Sequence, residues 1–152
     1  MTADEALNKA MKLCSTKEYA PFEIGQKLIS WGLEEEHVPT VIETLKTEKF
    51  LDEFRMARYF ANDRLRFYKW GKIKIKYSLQ QKKVNPAAIS EALEQIDELE
   101  YVNILQNELI KKRKSIKDTD EYKVKGKLFQ FGSARGFEAD TIYKMLEKIV
   151  RV

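Results

Sequence analysis

The amino-acid sequence predicts an all-α protein made of three tandem three-helix repeats that form an elongated, curved molecule. Apolar residues recur at helical spacing along almost the whole chain, without the sustained period-two alternation or hairpin turns typical of β-strands. One pattern of helix end, turn and amphipathic helix also occurs three times in the 152 residues. The predicted repeats cover residues 1–50, 51–98 and 99–152 of one continuous array.

The repeated amphipathic helix follows an apolar residue that stands just after a predicted helix end, namely Leu33, Val84 or Phe137. Positions 5, 8, 9 and 12 residues later are apolar in all three copies, and this spacing marks one face of an α-helix. The twelve positions are Val38, Val41, Ile42, Leu45, Ile89, Ala92, Leu93, Ile96, Ile142, Met145, Leu146 and Ile149.

Two further helices precede each turn. The first helices are predicted over Leu7 to Cys14, Phe54 to Leu65 and Val102 to Ile110. The second helices are shorter, and their buried sides are marked by Ile24 and Leu28, by Ile75 and Leu79, and by Leu128 and Phe131.

The turns have the residues that end helices in a left-handed conformation. Gly32 and Gly136 occupy this place in the first and third repeats, each before an apolar residue that packs back. Lys83 takes the place in the second repeat, where a left-handed lysine costs about 1 kcal/mol relative to glycine, so that turn either differs or tolerates the cost.

In two of the repeats, proline marks the start of the third helix. Asn85 and Pro86 predict an N-cap followed by proline at the first helical position. Pro39 must lie in a first turn, so we expect that helix to start near Glu36.

Composition excludes several classes of protein. A lone Cys14 and a lone His37 provide neither an internal disulfide nor the usual zinc ligands, and no nucleophile, phosphate loop or carboxylate pair predicts catalysis. Glu34 to Glu36 could bind a cation, but their place at the start of a predicted helix is explained more simply by stabilisation of the helix dipole. No membrane-spanning run or signal peptide is present, so we expect a cytoplasmic protein. From the lack of catalytic and metal-ligand patterns, we expect that it is not an enzyme and binds no cofactor or metal.

Charge is divided along the chain. Residues 1–54 contain 6 Lys and Arg against 11 Asp and Glu, whereas residues 55–152 contain 22 against 13. Between residues 55 and 83 there are ten basic residues and only Asp63 as an acid. A second basic run, Lys111 to Lys114 with Lys117, ends a predicted helix, where cations also complement the helix dipole. This division indicates an acidic partner, either nucleic acid or protein.

Aromatic residues lie beside the first basic run. Phe67, Tyr68 and Trp70 could stack on unpaired bases. For Trp70, packing between helices is a somewhat better explanation than base stacking. For Tyr68, the two explanations are equally good.

The same region carries a family resemblance. The segments Phe50 to Tyr59, Asp63 to Arg66 and Trp70 to Ile75, with Arg135-Gly136-Phe137, resemble the RecX family of recombination regulators, and the likeness extends over essentially the whole chain. This chain departs from the family pattern at Glu53, Lys83 and Gly132.

The resemblance implies tandem three-helix repeats and binding to the RecA recombinase filament on single-stranded DNA, with restraint of its growth, ATPase and strand exchange. It also implies DNA binding by the protein itself, and we expect single-stranded and duplex DNA as partners. We expect a monomer that contacts RecA acidic patches or DNA phosphates through Arg64, Arg66, Lys69, Lys72, Lys74, Lys76, Lys111, Lys112 and Lys114.

Two other functions stay open. The helix-Gly-helix turns also occur in helix-turn-helix regulators that bind duplex DNA, although residues 85–98 are acidic where a recognition helix is basic. The third interpretation is a structural adaptor whose charge only maintains solubility.

Overall fold

The computed structural model describes residues 1–150, and within them the backbone forms nine α-helices, one short 3-10 helix and no strand. The predicted all-α fold class is therefore confirmed. No helix in this part of the chain combines the length and apolar character needed to cross a membrane. The α-helices are α1 (Ala3–Cys14), α2 (Pro21–Ser30), α3 (Val38–Thr47), α4 (Glu53–Tyr68), α5 (Lys72–Gln81), α6 (Pro86–Glu94), α7 (Glu98–Ser115), α8 (Glu121–Ala134) and α9 (Ala139–Ile149).

The chain divides into two compact units. The first contains Met1–Tyr59 and Leu79–Ala92, and the second contains Phe60–Ser78 and the chain from Leu93 onward. The division therefore falls inside α4 and inside α5. Residues 1–150 contain nine α-helices, the number that three three-helix repeats require, whereas the repeat boundaries at residues 50 and 98 stay a prediction.

Polar caps begin helices earlier than their apolar patterns predict. The Thr2 hydroxyl accepts a hydrogen bond from the Glu5 amide at 3.1 Å, so α1 starts four residues before the predicted Leu7. Asp97 caps α7 in the same way by accepting from the Glu100 amide at 3.1 Å, ahead of the predicted Val102. The first turn of each helix carries acidic residues, which a search for apolar spacing does not count as helical.

All three repeat turns have the same closed geometry. Gly32 and Gly136 adopt φ values of 100° and 90°, as predicted, and Lys83 adopts the left-handed conformation at 56°. The middle turn therefore keeps the repeat geometry with lysine in place of glycine. The closing bonds run from the amides of Leu33, Val84 and Phe137 to the carbonyls of Leu28, Leu79 and Gly132.

The third helix of each repeat starts and packs as its sequence predicts. Pro39 lies in the first turn of α3, after a 3-10 turn over Glu35–His37, and the Asn85 side chain accepts from the Ala87 amide at 2.8 Å. All twelve apolar positions of the repeated pattern are buried or half-buried. The amphipathic face therefore forms the core side of α3, α6 and α9.

Each unit has its own apolar core. In the first unit, Ala6 and Ala10 lie against the larger side chains of α2 and α3, such as Leu28 and Leu45. In the second unit, a Cβ at Gly132 would lie 3.0 Å from Ile142 Cδ1, so the Ile142 side chain occupies the space beside this glycine. Buried residues of the second unit include Leu65, Ile75, Tyr101, Leu105, Leu109, Val124, Leu128, Phe137, Ile142, Met145 and Leu146.

Candidate partner-binding surface

Six of the nine predicted contact residues lie in residues 64–76, where α4 ends and α5 begins. Lys69 directly follows α4 and has a left-handed φ of 58°. Only three residues separate the two helices, because α4 ends at Tyr68 and α5 starts at Lys72. We call residues 64–76 the α4–α5 junction.

The first turn of α5 is held by the turn between α8 and α9. The Gly71 amide donates to the Arg135 carbonyl at 2.7 Å, and the Ile73 amide donates to the Gly136 carbonyl at 3.0 Å. The first N–H groups of a helix lack partners inside that helix, so these bonds cap α5 from a distant part of the sequence. The segment Arg135 to Phe137 thus ends α8 and also fixes the start of the basic helix.

A buried tyrosine completes the cap. The Tyr101 hydroxyl accepts from the Lys72 amide at 2.9 Å and donates to the Glu138 carboxylate. Burial raises the pKa of Tyr101, and its hydrogen bond to Glu138 raises that pKa further. The hydroxyl therefore stays protonated in the folded protein and keeps both bonds.

The two backbone segments of the cap approach so closely that positions 71 and 136 both require glycine. A Cβ at Gly71 would lie 2.3 Å from the carbonyl carbon of Gly136, and a Cβ at Gly136 would lie 2.3 Å from Lys74 Cβ. No side chain fits at such distances. Gly71 is therefore needed for packing, whereas sequence inspection had identified only the turn role of Gly136.

Arg64 lies within an aromatic cluster. Its guanidinium carbon is 4.5 Å from the ring centre of Phe60 and 4.6 Å from that of Tyr68, and it pairs with Asp63. Trp70 meets Phe60 edge-on, with 6.3 Å between ring centres, and is half-buried. The interpretation of Trp70 as a packing residue is thus supported, and Arg64 packs with it.

Two more predicted contact residues are bound to carboxylates of α7. Arg66 donates to both oxygens of Glu100 at 3.0 and 3.1 Å, and this bond raises the pKa of the guanidinium. Lys72 Nζ lies 3.0 Å from a Glu98 oxygen and 4.5 Å from the ring centre of Tyr101. These charges are compensated inside the fold, which makes them weaker attractors for a partner.

Three basic residues of the junction have no carboxylate partner in residues 1–150. The Lys69 ammonium donates to the Arg66 carbonyl, and the Lys74 ammonium lies 4.7 Å from the ring centre of Trp70. Lys76 is exposed on α5. These three lysines are the cations of the junction that are available to an acidic partner.

The second basic run lies at the other end of α7. Lys112 is about 18 Å along the helix from Glu100 at 1.5 Å per residue. Lys111 lies 3.6 Å from Glu108, Lys112 lies 5.6 Å from the ring centre of Phe131, and Lys114 is exposed. The structure therefore separates the two predicted basic runs instead of joining them in one patch.

Sequence inspection missed two exposed side chains of the junction region. Ile73 is 56% exposed and Tyr77 is 62% exposed, and they stand four residues apart on α5, with the exposed Lys76 next to Tyr77 in the sequence. We call Ile73, Lys76 and Tyr77 the outer face of α5. The signal was available, because Ile75 and Leu79 mark the buried side and leave these residues on the opposite side.

Cys14 and His37 are the side chains considered above for catalytic or metal-binding chemistry. Cys14 is buried, and burial with the nearby Glu18 charge raises the pKa of its thiol to about 11, so it is a poor nucleophile. His37 is exposed, close to Glu34 and Glu36. An exposed group of this kind is common on protein surfaces.

Comparison with known proteins identifies similar domains. Residues 52–93 match the sequence profile of the second three-helix domain of RecX, and residues 99–146 match that of the third. Regulatory protein RecX of Prosthecochloris aestuarii is 32% identical over 146 residues, which cover 96% of this chain and 94% of that protein. Regulatory protein RecX of Clostridioides difficile is 30% identical over 148 residues, but this chain spans only 68% of its length.

Solved structures share the fold. A crystal structure of RecX from Lactobacillus salivarius superimposes with a TM-score of 0.85 over 97% of this chain and 96% of that one, at 19% identity. A second crystal structure, of a regulatory protein RecX, gives a TM-score of 0.81 over 96% of this chain and 71% of that one, at 18% identity. The helical arrangement is thus that of RecX proteins.

Proposed function

This chain belongs to the RecX family, and from that premise we propose that it regulates the RecA recombinase. It binds the filament that RecA forms on single-stranded DNA, in the groove of that filament. Binding limits filament extension, ATP hydrolysis and strand exchange. It acts as a cytoplasmic monomer without a cofactor.

The outer face of α5 is the observation that carries this proposal. Lys76, which has no carboxylate partner in residues 1–150, offers a charge beside two large exposed side chains, Ile73 and Tyr77. Apolar anchors at positions i and i+4 of a helix are typical of contact with a protein groove, and the charge fits an acidic rim. A competitor that only covers phosphates has no use for an exposed isoleucine. The surface thus favours a contact with RecA over simple competition for DNA.

The division of charge supports the same conclusion. Arg64, Arg66 and Lys72 pair with acids of their own chain. Phosphate binding grows with the number of uncompensated cations, so the junction binds DNA more weakly than its sequence predicts. Lys69, Lys74 and Lys76 then provide charge contacts to RecA acidic patches or to DNA phosphates inside the filament.

Duplex binding by a helix-turn-helix mode is the second candidate, and α6 argues against it. This helix follows a repeat turn, where a recognition helix would stand, and it contains Glu91 and Glu94 but no Lys or Arg. A helix without cations offers DNA phosphates nothing to bind, and Glu91 is already paired with Arg58 at 3.2 Å. Specific affinity for one duplex sequence would restore this candidate.

The test is the single-stranded-DNA-dependent ATPase of the cognate RecA, measured with increasing amounts of this protein. We expect inhibition at amounts well below those of RecA, because one bound molecule restrains several protomers of a filament. The titration is repeated with a several-fold excess of single-stranded DNA.

The two titrations separate the mechanisms. Inhibition that resists added DNA supports binding to the filament. Inhibition relieved by added DNA would indicate competition for phosphates and would contradict the groove-binding mechanism. Absence of inhibition in both titrations would contradict the proposed function.

A further inference from the structure

A cleft between α8 and α9 has no part in the surface described above. It has a volume of about 470 Å³, and its lining includes Tyr122, Gly126 and Phe129 of α8 with Tyr143 of α9. The three α8 residues stand at positions i, i+4 and i+7, which place them on one face of the helix. All these residues belong to the second unit.

The walls of the cleft are flat aromatic rings left in contact with solvent. The rings of Phe129 and Tyr143 stack at 4.9 Å between centres and 22° between planes. Tyr143 is 57% exposed, and Tyr122 is 85% exposed, the highest value among the exposed large apolar and aromatic side chains of residues 1–150. The core does not explain rings that bury so little area. They form instead a platform for another flat group.

Gly126 keeps the cleft open. A Cβ at this position would meet no heavy atom within 4 Å, and its φ is not in the left-handed region, so neither packing nor backbone conformation requires glycine. Glycine inside a helix is also less favourable than alanine. The absence of a side chain here exposes the helix backbone between Tyr122 and Phe129, which deepens the cleft.

The charge around the cleft suits a polyanion. Residues 122–129 and 143–148, the two helical segments that line it, contain five lysines and Glu147. Lys127 lies 3.9 Å from Asp118, whereas Lys123, Lys144 and Lys148 have no carboxylate partner in residues 1–150. Lys125 lines the cleft and lies 3.2 Å from Glu121. A flat, uncharged group attached to a chain of negative charges fits both the rings and the lysines, and an unpaired nucleobase in single-stranded DNA has this chemistry.

We propose that this cleft stacks one unpaired base of single-stranded DNA while the surrounding lysines contact the adjoining phosphates. The proposal deepens the proposed function, because it rests on the same DNA being reached within a RecA filament. Binding to DNA alone is nevertheless sufficient to test it.

The test compares two fluorescent oligonucleotides of equal length, one of thymidines and one entirely abasic, by anisotropy with the full chain. Both carry the same phosphates, so a preference for thymidine measures base stacking. We expect thymidine to bind at least about fivefold more tightly, since stacking one base on an aromatic ring contributes about that factor or more. The preference should be lost in Tyr122→Ala, Tyr143→Ala and Gly126→Leu.

Two variants serve as controls for misfolding and for non-specific effects of losing a tyrosine. Gly126→Leu fills the cleft with a better helix former, so its thermal unfolding temperature should be unchanged or higher while the preference disappears. Tyr59→Ala removes a 48% exposed tyrosine of the first unit and should keep the preference.

Equal binding of both oligonucleotides by the unaltered protein would overturn the proposal, and so would an unchanged preference in Gly126→Leu. If these variants bind DNA normally but lose RecA inhibition, the cleft takes a protein side chain instead. Absence of a base preference in the unaltered protein, together with intact ATPase inhibition, would refute the cleft proposal alone. Absence of inhibition with an intact preference would refute the proposed function alone.

Discussion

At the scale of single residues, Gly71 and Gly136 fix the start of the basic helix. Their backbones meet so closely that a Cβ on either would lie 2.3 Å from atoms of the other segment, including the backbone carbonyl of Gly136 and Lys74 Cβ. Gly32 has the same positive φ as Gly136 but no heavy atom within 4 Å of such a Cβ. Two glycines with one conformation therefore have different structural requirements.

This difference gives the first prediction. We expect Gly136→Ala to lower the free energy of unfolding by about 3 kcal/mol, since strain and overpacking combine, and Gly32→Ala to lower it by about 1 kcal/mol from strain alone. Urea unfolding followed by circular dichroism measures both. Equal losses in the two variants would show that the close contact at Gly136 is not needed.

Cys14 gives a second residue-scale prediction, on pH. Its pKa rises from about 9 to about 11 in the folded protein because of burial and the Glu18 charge. Because the folded pKa is raised, the contribution of the Cys14 thiol to the free energy of unfolding is fully present below the ordinary pKa. This contribution is lost as the pH rises through the folded pKa. Between pH 9 and 11 the native protein should therefore lose about 2 kcal/mol more stability than Cys14→Ala. Parallel urea titrations of the two proteins check this, and superimposable pH profiles would contradict it.

At the scale of elements, α5 depends on contacts that lie outside its own sequence. Its first amides bond to Arg135, Gly136 and Tyr101 instead of to a side chain of its own first turn. Lys72 adds a pair with Glu98, and its side chain is only 22% exposed. The two lysines Lys72 and Lys76 are one helical turn apart, but only Lys76 is directed away from the fold.

The third prediction separates these lysines. Lys72→Glu places a carboxylate beside Glu98 and should lower the free energy of unfolding by about 1 to 2 kcal/mol. Lys76→Glu should change it by less than about 0.5 kcal/mol but weaken inhibition of RecA. Reversing both residues together would therefore mix a folding effect with a binding effect. Chemical unfolding and the ATPase titration measure the two effects.

The control for Lys76→Glu is Lys12→Glu, because Lys12 is an exposed lysine of α1 in the first unit. It makes the same change in net charge away from the outer face of α5. Equal loss of inhibition in both variants would attribute the effect to net charge and not to α5.

At the scale of the whole molecule, internal ion pairs reduce the positive charge that the predicted contact residues offer to a polyanion. Four of the nine predicted contact residues, Arg64, Arg66, Lys72 and Lys111, lie within ion-pair distance of an acid of the same chain. The other five have no carboxylate partner in residues 1–150, and they are Lys69, Lys74, Lys76, Lys112 and Lys114.

The fourth prediction is the salt dependence of binding to single-stranded DNA. Each phosphate neutralised contributes about −0.7 to the slope of log K against log salt concentration, so five contacts give about −3.5 and nine give about −6. We expect the smaller magnitude, and Lys76→Glu should reduce it by about 0.7. Anisotropy titrations over a range of salt measure the slope. A value near −6 would mean that more cations contact phosphates, either because the ion pairs open on binding or because the lysines around the α8–α9 cleft contribute.

The helices, their buried faces and the repeat turns were determined by the sequence itself. These features depend on residues a few positions apart, such as the spacing from Leu33 to Leu45 or the placement of Gly32, so local steric and hydrophobic preferences are sufficient. The same local patterns carried the RecX resemblance, which the matches over residues 52–93 and 99–146 confirm.

Only the tertiary structure decided which basic residues are paired with acids of the same chain and which glycines are needed for close packing. Lys72 and Arg66 are compensated by carboxylates 26 and 34 positions away, and Gly71 is needed because Gly136 lies against it. The cleft at Gly126 likewise needs Tyr143 from the next helix. Charge compensation and steric exclusion act over a few ångströms of space, and a count of charges along the chain does not contain those distances.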